Sequence, residues 1–176
     1  MNFLVDFTAL MSSLASAHRD LRHCTNEKHF FRGEVEEFFR QFRSDVNFPC
    51  LILEGSELDY SGSEYNVVKT RHGAFIVADT YSLKDEYDTI QQKMSECERI
   101  GEEFIGKMLQ LAEDGNAIVA GLDINSVSAV YMQNQTNRYA GCRFEFDIVQ
   151  RGCLFNPNVW VAEDESEETT NDSQDD

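Results

Sequence analysis

Apolar residues recur along this chain with two different periods, and the change between them organises it. From Phe3 the spacing is helical: Phe3, Leu4, Phe7, Leu10, Met11 and Leu14 share one face of a helix expected to run to about His23. A second run between Thr25 and Asp45 carries Phe31, Val35, Phe38, Phe39 and Phe42 at similar spacing, with Thr25 or Asn26 available as N-cap. Asn47-Phe48-Pro49 then ends helical character, because a residue before proline is pushed toward extended geometry.

Beyond Pro49 the period falls to two. CLILEG predicts a short buried strand, and GSELDYSGSE a polar, glycine-containing loop. YNVVKT and AFIVADTY predict two strands joined by RHG as a hairpin turn, with Gly73 available for positive φ. Residues 82 to 114 return to a helix, since Leu83, Tyr87, Ile90, Met94, Cys97, Gly101, Phe104, Met108 and Leu111 alternate steps of four and three. Ser82 is the expected N-cap with Asp85 at N3, and EDGN closes the far end. The mixed seam suits one helix laid across a sheet, with Gly101 letting the backbones approach, better than a coiled coil.

SVSAVYMQ and YAGCRFEFDIV, either side of NQTNR, predict an antiparallel hairpin. In its second strand Cys142, Phe144, Phe146 and Ile148 fall on one face, and Arg143, Glu145 and Asp147 on the other. The apolar face needs a core. The charged face meets water, another strand or another chain. An extended arm follows, GCLFNPNVWV, bearing Phe155 and Trp160, and then an acidic segment from Glu163 that is too polar to pack. The expected fold class is α+β: N-terminal helices, a mostly antiparallel sheet with one long helix across it, and a final hairpin. Residues 1–162 form one domain, with 1–45 helical and 48–162 sheet plus helix, and 163–176 a disordered acidic segment.

Charge narrows the function classes. Fifteen Lys and Arg against 32 Asp and Glu give −17, so the basic footprint of a nucleic-acid binder is missing. Five widely spaced cysteines without a CxxC pair suit buried free thiols in a reducing compartment. The N-terminus lacks a basic region before its apolar run and carries Asp6 within it, so it is read as a helix of the mature protein rather than a signal peptide. No membrane span is expected.

The common catalytic signatures are absent: no P-loop, GxSxG, HExxH or GxGxxG. His18, His23, Cys24 and His29 cluster in sequence, but their spacing fits no zinc pattern. Glu57, Asp59 and Glu64 surround a glycine without the alternation of a calcium loop. Cys97 falls on the helix seam, which suits core better than nucleophile, and Glu102 and Glu103 on its exposed face. No enzyme activity, metal or cofactor is expected.

The order helix, helix, strand, loop, strand-turn-strand, long helix, strand-turn-strand, arm resembles the tail terminator (tail completion) proteins of long-tailed bacteriophages. The resemblance covers residues 1 to about 160 and rests on element order, size and the progression LILEG, YNVVKTRHGAFIVADTY, helix, YAGCRFEFDIVQRG. It implies a homohexameric ring in the virion, made in the host cytoplasm. Such a ring caps the tail tube protein, docks the head-side connector protein and lets DNA pass unread. The acidic segment and the long helix depart from the family pattern. Candidate interface residues are Phe155 and Trp160 of the arm, Arg143, Glu145 and Asp147 of the last strand, Arg71 and His72 of the expected turn, and Asp59 and Tyr60 of the expected loop. The rival readings are a head–tail stopper or neck protein, and a cytosolic acidic module that binds a basic partner.

Overall fold

The computed structural model describes residues 2–33, 46–63, 66–82, 84, 86–152 and 154. Among them the chain forms helix α1 (Phe3–Ala17), strands β1 (Phe30–Arg32), β2 (Cys50–Leu53), β3 (Glu57–Ser63) and β4 (Asn66–Thr80), helix α2 (Tyr87–Glu113), and strands β5 (Leu122–Asn134) and β6 (Tyr139–Gly152). The six strands make one sheet in the order β1-β2-β4-β6-β5, with β3 pairing β4 beside β2. Only β1 and β2 run parallel; every other pairing is antiparallel. The expected α+β class is therefore what the chain adopts.

Both helices cover one face of the sheet, called here the helix side. Its core joins Phe7, Met11 and Ala15 of α1 and Cys97, Ile100, Phe104 and Met108 of α2 to Leu51, Leu53, Phe75, Val77, Cys142, Phe144, Phe146 and Ile148 of the strands. Phe75 lies at the centre, stacked on Phe144 at 5.2 Å and tilted against Phe104 and Phe146. Burying each of these rings contributes about 2–3 kcal/mol, so this aromatic group dominates the core.

The seam of α2 faces the sheet as its spacing predicts, from Ile90 to Met108, while Tyr87 at the N-terminus is exposed. At Gly101 an added Cβ would sit 2.0 Å from Cε2 of Phe144, so the missing side chain lets the helix touch the strand. The helix begins later than expected: Glu86 holds the N-cap position without a side-chain hydrogen bond, and the Ser82 hydroxyl instead accepts the Lys84 N–H. Its C-terminus ends in a Schellman motif, Gly115 N–H to Ala112 and Asn116 N–H to Leu111, with Gly115 at φ 83°.

Four sequence expectations fail here. Helix α1 stops at Ala17 rather than near His23, because His18 is already extended at ψ 130°. RHG is not a turn: Gly73 lies within the 15-residue β4, where an added Cβ would meet the Phe146 ring at 2.6 Å. ELDYSGS is not a loop but β3, paired to β4 as far as Ser63 and Asn66, so the hairpin reverses between those two residues rather than at Gly73. Phe30–Arg32 is not helical but a strand beside β2, because Phe31 gains burial against Ile52 there. The expected helix between residues 34 and 45, the arm with Phe155 and Trp160, and the acidic segment lie outside the described residues.

Candidate interaction surface

Strand alternation sorts β4 into two rows. Phe75 and Val77 join the helix-side core, so Gly73 and Arg71 share that side; His72, Ala74, Ile76 and Ala78 point to the far face. The far face has two halves. Toward β1 and the turn between β5 and β6 it is apolar, with Phe31, Cys50, Ile52, Ile76 and Ala78 joined by Val46, Phe48 and Met132. Toward the β3–β4 hairpin it is polar, and a shallow groove of about 350 Å³ runs over the small residues Gly73 and Ala74.

Ion pairs bound this groove at both ends. At one end His72 Nδ1 meets Asp147 Oδ1 at 2.6 Å and its Nε2 meets Asp59 Oδ2 at 3.2 Å, which ties β3, β4 and β6 together. The hydrogen bond to Asp147, and then the one to Asp59, raise the His72 pKa above its ordinary value. At the other end Arg143 Nε donates to Glu54 Oε2 at 2.6 Å, and Arg143 NH1 pairs with Glu145. The Arg143 guanidinium holds the Glu145 carboxyl below the usual range. Glu54 is nearly buried, its side chain only 8 % exposed, so the Arg143 charge is what makes its burial tolerable. Along the β5 side the Ser126 hydroxyl accepts the Asp147 N–H at 2.7 Å and donates to the Asp123 carbonyl, within the register shift between Asp123 and Ser128.

Of the nine candidate residues, five converge on this face: Arg143, Glu145, Asp147, His72 and Asp59. Arg71 and Tyr60 do not. Arg71 lies on the helix side, its guanidinium 4.0 Å from the Phe3 ring centroid and NH1 donating to Gln150 Oε1 at 2.8 Å. Tyr60 is on the same side beneath Lys69. The polar face of β6 thus meets neighbouring strands of its own sheet before it meets anything else. Glu54 and Ser126 are not among the residues that the sequence singles out. Period two in CLILEG does put Glu54 on the far face; nothing in the sequence marks the bulge that positions Ser126.

The His/Cys cluster splits: His18 pairs with Glu103, while His23 stays beside His29. His29 Nδ1 meets the Pro49 carbonyl at 2.6 Å, His23 Nδ1 accepts the His29 N–H, and Cys24 is exposed. His18, Asp20 and Glu103 do come together, but as ion-pair partners. Arg99 donates to Asp20 at 2.6 Å and to Glu103 at 2.8 Å, and both His18 ring nitrogens are engaged, by the Asp20 N–H and by Glu103. A guanidinium already neutralises these carboxylates, and the cluster clamps the end of α1 to α2.

The sheet edges are the other feature of this surface. β5 closes one side of the strand order along its whole length, with Val130 and Tyr131 more than half exposed, and β3 is exposed at every residue. No helix among the described residues is long and apolar enough to cross a membrane. A scan against protein-family models finds no match, and neither does a search of curated proteins.

Proposed function

We propose that this chain is a structural virion protein of the tail-terminator type, which assembles into a ring at the end of a phage tail tube. The observation that carries this reading is that, among the described residues, the sheet has two long edges that no further strand pairs, β5 and β3, on opposite sides of one molecule. Edges of that kind are usually blunted, covered or paired, and head-to-tail pairing of two different edges generates a ring when the rotation between copies closes. The element order supports it too: an N-terminal helix, a mostly antiparallel sheet interrupted by a helix, and a final hairpin. The acidic composition fits a lumen through which DNA slides without being held. In this role the partners are further copies of the chain, the tail tube protein and the head-side connector protein.

A second reading is a module that binds a basic protein. The groove on the far face favours it, since Glu57, Glu145 and Asp147 line it beside Arg143 and His72. Native mass spectrometry at several concentrations, with and without tube protein, separates the two. A hexamer, formed alone or on tube ends, supports the terminator reading. A monomer that ignores tube protein and captures basic proteins overturns it in favour of the binding module.

A further inference from the structure

We propose that the outer edge of β5 pairs with β3 of a second copy of this chain; this deepens the ring reading and rests on it. From Ile124 to Asn137 the sequence has no charged residue, although the chain as a whole carries −17. Two acidic molecules repel wherever carboxylates meet, so this is a stretch along which copies approach without that cost. Among the described residues it is also an edge without the usual protection. Ser128–Asn134 pairs with β6 residue for residue, contains no proline, lysine or bulge, and presents Val130 and Tyr131 to solvent.

Charge also selects the strand that it meets. Pairing β3 with β3 would bring two copies of the acidic Glu57 and Asp59 together along one short edge, and like charges brought close across strands are destabilising. Pairing β5 with β5 is neutral but isologous, and it closes as a dimer. β5 against β3 sets uncharged positions beside Glu57 and Asp59 and leaves a free edge at each end for the next copy. The directions agree. β3 and β5 are antiparallel to β4 and to β6 respectively, and β4 is antiparallel to β6, so β5 runs opposite to β3. A neighbour brought round by a ring rotation, its strands near the ring axis, therefore offers β3 antiparallel to β5. Ser128 and Ser61 both belong to the far-face row, opposite Glu145 and Val68.

The test combines hydrogen exchange with crosslinking in full-length chain. Exchange of the β5 amides is compared between a dilution at which the mass is that of one chain and a concentration at which it is assembled. The expected result is protection of β5 and β3 amides, at least about tenfold slower exchange on assembly, with α2 unchanged. Separately, S128C and S61C chains, each also carrying C24S and C153S, are mixed and treated with a short thiol crosslinker. The expected product needs both variants.

Crosslinking of S128C chains to one another overturns the assignment to β3. Rings that form without slowing β5 exchange overturn the proposal and leave the ring reading standing. β5 protected already in single chains means that the chain covers its own edge, which overturns it as well. A mass of one chain at every concentration, with or without tube protein, removes the ring reading and this pairing together.

Discussion

Gly101 of α2 and Phe144 of β6 are in direct contact, and no side chain fits between them: an added Cβ would lie 2.0 Å from the ring. Phe144 cannot step aside, because it is stacked on Phe75 and is itself buried. G101A is therefore expected to lower stability by about 1–3 kcal/mol, despite the better helix propensity of alanine. Thermal unfolding reads this directly. An unchanged or raised Tm would mean that α2 does not seat on β6 as described.

Arg143 and Glu54 form the least exposed ion pair of the far face. R143A leaves the Glu54 carboxylate nearly buried without its cation and is expected to cost about 2–4 kcal/mol, whereas replacing both partners by apolar residues recovers much of the loss. A double-mutant cycle by urea unfolding measures the coupling. Coupling below about 0.5 kcal/mol would place the pair with ordinary exposed ones.

His72 titrates between two carboxylates, and its folded pKa is raised, first by Asp147 and then by Asp59. A raised folded pKa means that the stabilisation is complete below the unfolded value of about 6.5 and is lost as pH rises through the folded value. An NMR titration of the His72 ring should give a midpoint above that of a free histidine. D147N should lower it more than D59N. The reverse order would place Asp59, not Asp147, as the principal partner.

Four cysteines lie among the described residues, and three are sealed in the fold. Burial raises the thiol pKa of Cys97 to about 12 and of Cys142 to about 11, and pushes that of Cys50 well above its ordinary value. Cys24 is exposed. In a C153S background, a thiol reagent at neutral pH should modify Cys24 promptly and the other three only on unfolding. Prompt modification of Cys142 would show that the contact between α2 and β6 opens readily.

Where one residue's neighbours in sequence decide its surroundings, the sequence is readable. The two-residue period of β6 puts Phe144 in the core and Arg143 outside it, and the four-three seam of α2 finds Gly101. Gly73 is misread because glycine serves a turn or a close approach equally well, and only the Phe146 ring opposite it decides. β3 is misread for a related reason. It is exposed at every residue, so burial leaves no alternation in its sequence, and backbone pairing to β4 alone makes it a strand. The split of Arg71 from His72 follows from the same error, since consecutive residues of a strand face opposite sides while those of a turn need not.

Electron micrographs of the purified chain, alone and on tube ends, test the ring most directly. The terminator reading requires annular particles with sixfold class averages, corresponding to about 120 kDa for six chains of 20.2 kDa each. Compact particles of one or two chains in both samples, with tube ends left bare, would contradict it.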